Sequence, residues 1–322
     1  MPEEEGTNMD ITQWNGCLSL WLGGEANIEQ IDLVRDWSQS RVLRLKVRTG
    51  KGLRTIFAKQ APGGLDTEAR IYRQLAGFEG FPAPSGTPVL IADQEWLLLA
   101  EAQGLRLAEA TPDQYLSAAG YLADFHEQAT QASWPAAIGL TAAPTEHIAR
   151  LLVKLPEAMQ KLAVSSQFTS VDTHLLSATR EALQTHGPSL IHHLDSFPCT
   201  LCHGDCHSGN LFIGAAGIQL IDWGSASYAP GLLDLVGLID VTTRMREHVG
   251  DAHEIVNAYW NGLSAQTRQA YGRLDWAWSL LRVTRALLEL EWFVRDGDDY
   301  GTRANRELCI ILDCLTQEVP VA

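Results

Sequence analysis

Asp205, Asn210 and Asp222 are the residues of this chain whose types and spacing point most directly to chemistry. They stand in Leu201-Cys-His-Gly-Asp-Cys-His-Ser-Gly-Asn-Leu-Phe-Ile and in Ile218-Gln-Leu-Ile-Asp-Trp-Gly. The pattern reads as strand, loop, strand, turn, strand, which presents the three polar groups at the ends of adjacent strands. Transfer of a phosphoryl group from a nucleotide to a hydroxyl needs one carboxylate to orient that hydroxyl and accept its proton. It also needs oxygen ligands for Mg²⁺, a hard cation that takes few protein groups at once. Asp205 suits the first role, as catalytic base, and Asn210 and Asp222 suit the second. His203 and His207 flank the base. With a carboxylate already in the expected place, both are read as fixing the loop through hydrogen bonds.

The step of five from Asp205 to Asn210 matches the D-x-x-x-x-N of kinase catalytic loops, and Asp222-Trp-Gly stands where protein kinases carry Asp-Phe-Gly. His203-Gly-Asp-Cys-His-Ser-Gly-Asn followed by Ile221-Asp-Trp resembles the signature of the aminoglycoside phosphotransferase and choline kinase superfamily, H-G-D-x-H-x-x-N with a later I-D-[WF]. The similarity extends over roughly residues 15–300 and is weakest in the C-terminal helices. It implies a two-lobed, protein-kinase-like fold and a kinase that uses ATP or GTP with Mg²⁺ on a small-molecule acceptor.

The same resemblance assigns further residues. Lys59, in Phe57-Ala-Lys-Gln, looks like the lysine that contacts the nucleotide phosphates, and Glu68 like its ion-pair partner. Gly23 and Gly24, placed between the first two expected strands, would let backbone N–H groups approach the phosphates. Leu97-Leu-Leu-Ala-Glu-Ala-Gln-Gly resembles the hinge, where backbone groups near Glu101 and Ala102 would bond adenine. Asp234 resembles an acid that anchors the catalytic loop from below. The family's acceptor pocket is built from C-terminal helices, where Glu289, Glu291, Asp296, Asp298 and Asp299 cluster beside Trp276, Trp278, Trp292 and Phe293. Acids with aromatic faces suit an ammonium or polyamine acceptor. The plainer alternative is that Leu280, Val283, Leu287, Leu290 and Val294 form a helical core stripe and the acids line its wet side.

These groups need a scaffold, and the pattern predicts an α/β (α+β) protein in two lobes, 1–103 and 104–322. The first hundred residues read as a five-stranded antiparallel sheet with one helix, drawn from six strand-like segments. Strands are expected at Cys17–Leu22, Gln30–Val34, Arg41–Arg48 and Arg54–Gln60, with two short apolar runs from Pro88 and Glu95 completing the sheet, and a helix at 66–75. After Gly104 helices prevail. Thr111-Pro112 marks a start, with Tyr115, Leu116, Ala119, Leu122, Ala123 and His126 on one face. His126 is read as a packing residue. Further helices are expected at 144–163, 171–186, 231–245, 251–262, 266–273, 275–295 and 303–318, around a β-rich stretch at 200–222.

Composition sets the outer bounds. The 322 residues are 46% hydrophobic and 20% charged, ordinary for a globular protein, and the net charge is −15. That balance argues against a nucleic-acid partner, which wants a basic patch. The acidic excess lies mostly after residue 110 and would favour cationic ligands such as amines. Cys199, Cys202 and Cys206, although followed by His207, lack the second half of a zinc set and are read as packing thiols. No apolar run approaches the roughly 20 residues of a membrane span. With an acidic start, the reading is a cytoplasmic protein without a membrane partner. The acceptor stays open among aminoglycosides and other antibiotics, choline or ethanolamine, homoserine and sugars. A nucleotide-binding pseudokinase is the alternative class. A protein kinase is disfavoured, since the loop reads His-Gly-Asp and no Ala-Pro-Glu follows.

Overall fold

The alternation in Arg41–Arg48 forms a strand that buries Leu43, Leu45 and Val47 on one face. The computed structural model describes residues 10–37, 40–61, 66–75, 77–140, 144–163, 170–215, 217–241, 250–296 and 301–316. That strand is β2 (Ser40–Thr49) of a five-stranded antiparallel sheet with β1 (Ala26–Trp37), β3 (Gly52–Gln60), β4 (Gly86–Ile91) and β5 (Gln94–Ala100). The spatial order is β1-β2-β3-β5-β4. Ile56, Ala58, Trp96 and Leu98 extend the buried face across β3 and β5.

The element that covers this face differs from the expected one. Cys17–Leu22 is not a strand but the end of helix α1 (Ile11–Leu22). The Asp10 carboxylate caps its start, accepting the N–H groups of Thr12 and Gln13 at 3.0 and 3.3 Å. Trp14 and Leu18 are buried in the sheet core, Cys17, Trp21 and Leu22 pack at its margin, and Leu20 is 87% exposed. That is a helical spacing rather than an alternation. The other five expected segments make up the five-stranded sheet, and among the described residues its unit holds two helices rather than one. The second, α2 (Asp66–Gln74), packs against β4 and residues 223–225.

The chain divides into two compact units. The first comprises the described residues up to Gly104 together with Gly214–Ser225, which the expected single boundary had left in the second lobe. The reason is local. The Leu220 N–H donates to the Pro82 carbonyl at 2.6 Å, the Gln103 N–H to Gln219 Oε1 at 2.6 Å, and Trp223 is fully buried against Phe81 with ring centroids 4.9 Å apart.

The second unit, Leu105–Ile213 and Ala226 onward, is mainly helical. Its helices are α3 (Pro112–Gln131), α4 (Trp134–Ala137), α5 (Pro144–Ala163), α6 (Thr173–Ser196), α7 (Leu232–Val236), α8 (Ala252–Gly262), α9 (Ala265–Tyr271), α10 (Leu274–Asp296) and α11 (Gly301–Thr316). Two differ from expectation. Helix α6 runs through Pro188 to Ser196 instead of ending at 186. The helix expected at 231–245 is the short α7, continued by a wider π turn at Gly237–Val241. Short antiparallel pairs frame the loop of interest: β6 (Leu105–Arg106) with β8 (Leu211–Gly214), and β7 (Cys199–Cys202) with β10 (Ser227–Pro230). Strand β9 (Gly217–Leu220) falls in the first unit. Among the described residues no helix is long and apolar enough to cross a membrane.

Candidate active site

In the first unit the site grows from a lysine on the middle strand. Register pairs Lys59 of β3 with Val42 of β2 and Leu97 of β5, and alternation turns it to the face opposite Ile56 and Ala58. There it is only 8% exposed, and a buried ammonium needs partners. It has two: Nζ lies 2.6 Å from Glu68 Oε2 and 2.5 Å from Asp222 Oδ1. Glu68, from α2, is 1% exposed, and its other oxygen accepts the Trp223 N–H at 3.1 Å. Burial works against the charged lysine, but the two carboxylates outweigh it and hold its pKa above the ordinary value. Burial also lifts the Glu68 pKa, over the opposing pull of Lys59. Arg35 of β1 adds a second cation 3.6 Å from Asp222 Oδ2. Asp222 itself sits at φ 67°, in the left-handed region that few non-glycine residues occupy, and such backbone positions gather at functional sites.

Gly23 and Gly24 belong to a different feature from the one expected. They follow α1 rather than a strand, and residues 38–39, which connect β1 to β2, lie outside the described residues. Gly23, at φ 70°, ends the helix, and its N–H and that of Gly24 both go to the Ser19 carbonyl. Those N–H groups are spent on the helix end, so the phosphate reading loses its geometric premise. Glu101 and Ala102 follow β5 without regular structure, and the Glu101 carbonyl accepts the Gln103 side-chain amide at 2.9 Å.

In the second unit the site is a loop held by buried charge. Between β7 and β8, Gly204 takes φ 80°, a conformation open to glycine, and so turns the chain to present Asp205. The Asp234 carboxylate, from α7, accepts the N–H of His203 at 2.6 Å and of Gly204 at 2.8 Å. Burial raises the Asp234 pKa, but hydrogen bonding to His126 and the neighbouring histidines bring it below the ordinary carboxylate value. His126 is therefore more than packing. Its ring nitrogens lie 3.3 Å from Asp234 Oδ2 and 2.7 Å from the Tyr259 hydroxyl. Asp234 thus bonds two successive N–H groups of the loop and the His126 ring.

Both loop histidines are placed as supports. The buried His203 ring accepts the Asp205 N–H on Nδ1 at 3.3 Å, and His207 Nδ1 accepts the Gly209 N–H at 3.0 Å. The Asn210 amide nitrogen donates to the Asp205 carbonyl at 3.1 Å and to Asp205 Oδ2 at 3.2 Å. Both of these bonds are made by the nitrogen end of the amide. The Asp205 carboxylate is 41% exposed, with His207 Nε2 3.7 Å from one oxygen and Arg285 3.7 Å from the other. Among the cysteines, Cys202 donates to the Ala229 carbonyl at 3.3 Å, and burial pushes its thiol well above the ordinary range. It lies with His126 and Asp234 in a group of ligand-type atoms within 4.8 Å, all buried and hydrogen-bonded in the core.

The acids expected for the acceptor meet other partners. Glu289 pairs with Arg285 at 2.6 Å on the same helix, and Glu291 with His147 at 3.0 Å. Trp292 is 36% exposed beside Phe293, their centroids 5.6 Å apart. Leu280, Val283, Leu287 and Leu290 are buried as the core stripe. The side chain of Asp296 and the whole of Asp298 and Asp299 lie outside the described residues. Sequence reasoning missed Arg285 and Arg35. Arg285 and Glu289 form an i,i+4 pair, which in sequence looks the same on any solvated helix.

Comparisons with known proteins agree with this layout. Residues 30–279 match the model of the phosphotransferase enzyme family (APH). Among solved structures, aminoglycoside phosphotransferase APH(4)-Ia, as a thermostable mutant in a ternary complex with ADP and hygromycin B, superposes with a TM-score of 0.57 at 12% identity, over 93% of this chain and 98% of that one. ADP-bound aminoglycoside phosphotransferase APH(2'')-Ib gives 0.58 at 11%, over 95% and 98%. An ethanolamine kinase from Plasmodium vivax gives 0.56 at 10%, over 88% and 82%. At such identities the likeness shows the fold. A search of the curated proteins finds no sequence match. The family model, though, spans well over half of the chain and takes in Lys59, Glu68, Asp205, Asn210 and Asp222. The chain belongs to the phosphotransferase enzyme family and is a phosphotransferase that acts on a hydroxyl group.

Proposed function

We propose that the chain is a kinase that transfers the γ-phosphoryl group of ATP or GTP to a hydroxyl of a small acceptor, with Asp205 as catalytic base. The observation that carries this reading is the Lys59 ammonium held between Glu68 at 2.6 Å and Asp222 at 2.5 Å. Those partners lie 9 and 163 positions away in sequence, the ion-pair arrangement that kinases use for nucleotide phosphates. When bound, Mg²⁺ and nucleotide supply the phosphoryl group and spread its charge. Asp222 and Asn210 each offer an oxygen of the hard type that Mg²⁺ takes. Lys59 neutralises phosphate oxygens, and Arg35 adds to the same field. Asp205, oriented by the Asn210 amide, takes the proton of the attacking hydroxyl, whose oxygen forms the new bond to phosphorus as the nucleoside diphosphate leaves. The adenine-side role of Glu101 and Ala102 rests on the family resemblance.

An amine-bearing acceptor such as an aminoglycoside is supported by the hygromycin B bound to one structural neighbour. In the structure Glu289 pairs with Arg285, while Glu291 and Trp292 of the expected set are partly exposed. The test is Mg²⁺-dependent release of ADP or GDP across aminoglycosides, macrolides, choline, ethanolamine, homoserine and sugars, with Asp205→Asn as control. Acceptor-stimulated release that disappears in the variant is expected. Nucleotide binding without stimulation by any acceptor would favour a pseudokinase, and absence of nucleotide binding would overturn the reading.

A further inference from the structure

Arg285 has no part in the scheme above, yet its placement is demanding. It projects from α10 with its guanidinium largely enclosed (12% exposed) and makes three polar approaches. One nitrogen donates to the Gly204 carbonyl at 2.7 Å. The other lies 2.6 Å from Glu289 Oε1 and 3.7 Å from Asp205 Oδ1. Burying a guanidinium is costly, and the cost is offset only by good pairing and by hydrogen bonds to its remaining protons. Here the ion pair is made with Glu289, Nε makes no hydrogen bond among the described residues, and the remaining arm goes to the peptide immediately before the candidate base.

Gly204 is thereby held through both of its peptide groups, the one to His203 and the one to Asp205. Its N–H points to the buried Asp234 carboxylate at 2.8 Å and its carbonyl to Arg285 at 2.7 Å. The anion meets the N–H of the first peptide and the cation the carbonyl of the second, each a favourable match of sign, and charge-assisted bonds of this kind are about twice as strong as neutral ones. Because Gly204 sits at φ 80°, small rotations there swing the Asp205 side chain. The distances divide the labour. Arg285 is closed on Glu289 and open to Asp205 by about an ångström more, so Glu289 keeps the guanidinium from capturing the carboxylate.

We propose that Arg285 is a positioning residue for the transfer reaction: it fixes the Gly204 carbonyl, and with it the direction of Asp205, while Glu289 holds it off the base. This rests on the reading of Asp205 as the base. Arg285→Lys tests it, since lysine keeps the charge and its pairing with Glu289 but lacks the second arm that reaches Gly204. Glu289→Gln is the second variant. It removes the restraining charge and lets the guanidinium close on Asp205.

Two readouts apply to purified full-length protein. Mg²⁺-ATP turnover, with water or with whichever acceptor stimulates it, should show kcat falling about 10–100-fold in Arg285→Lys, as expected for a reacting group displaced by about an ångström, with the KM for ATP within about twofold. Glu289→Gln should lower kcat in the same selective way. Amide hydrogen exchange, which needs no turnover, should quicken across 203–206 in Arg285→Lys while α10 keeps its protection. Unchanged exchange overturns the clamp. Faster exchange with unchanged kcat, or kcat and KM worsening together with the melting temperature, overturns the positioning role. Should Asp205→Asn keep full turnover, the base assignment fails instead, and the exchange result still decides whether Arg285 holds the loop.

Discussion

The two groups of site residues are built on opposite plans. In the first unit two of the functional groups are themselves buried: Lys59 is 8% and Glu68 1% exposed, and each satisfies the other beside the half-buried Asp222. In the second the candidate reacting carboxylate is 41% exposed, and burial is reserved for its supports, His203, Asp234 and Arg285. Nucleotide phosphates bring dense negative charge, so a preformed cation locked in the fold suits them. A base must meet and release a proton on an acceptor that comes and goes, so it stands in the open on a stiff loop. Substitution should therefore separate the two plans. Changes in the first unit should move stability and nucleotide affinity together, and changes at the base should move turnover alone.

The sharpest test of that contrast is Asp205→Asn. A positioned general base contributes on the order of 10²–10⁴-fold, so kcat should fall by about that factor with nucleotide affinity within about twofold. Thermal stability should barely change, because the side chain is half in solvent and the amide keeps the partner at Asn210. A large loss of stability would show that Asp205 is built into the fold as Lys59 is.

Lys59→Met probes the other plan. It leaves Glu68 charged and buried beside Asp222, and breaking such a pair costs about 3–5 kcal/mol. Urea unfolding should report that loss, and nucleotide binding should weaken in parallel. Lys59→Met/Glu68→Gln should recover most of the stability, since the amide oxygen still accepts the Trp223 N–H, but none of the affinity. Recovery of both would mean that the ion pair serves only the fold.

How much of this was legible follows from what a sequence records. Asp205, Asn210 and Asp222 were readable because their spacing is local and their chemistry specific. Lys59 and Glu68 were readable through the resemblance, and the structure brings both to Asp222. Arg285 was not, because its partners Gly204 and Asp205 lie some 80 residues away and nothing local distinguishes it from a solvated arginine. The error at Cys17–Leu22 has a different cause. Read from Cys17, the run is short and apolar enough for a strand. Read from Asp10, it shows an N-cap, apolar residues at 14, 17, 18 and 21, and a closing Gly23, which together spell a helix. Short apolar runs do not decide between the two on periodicity alone, and the caps carried the information.

Supports of the loop should show an intermediate effect. Asp234→Asn removes the charge that accepts the His203 and Gly204 N–H groups, and hydrogen bonds to charged groups are worth about 1.5–3 kcal/mol. The pH dependence has a definite sign. The Asp234 pKa is lower in the folded state than its ordinary value, so its stabilisation is present above the unfolded carboxylate pKa and drains away as pH falls through the folded one. Acid unfolding of the wild type should carry that slope, and the Asn variant should have a shallower one. Parallel curves would mean that the carboxylate is dispensable to the loop.

Gly23→Ala should give the smallest effect and bears directly on what the end of α1 is for. A side chain at φ 70° is strained by about 1–2 kcal/mol, while a Cβ there meets nothing within 4 Å, so strain is the only cost. Because both glycine N–H groups already serve the Ser19 carbonyl, the variant should lose about that much stability and keep its KM for ATP. A tenfold rise in KM at unchanged stability would return these glycines to the phosphates and show that the end of α1, and not the sheet beyond it, belongs to the nucleotide. The expected outcome leaves the phosphates in this unit to Lys59, the cation held inside the fold.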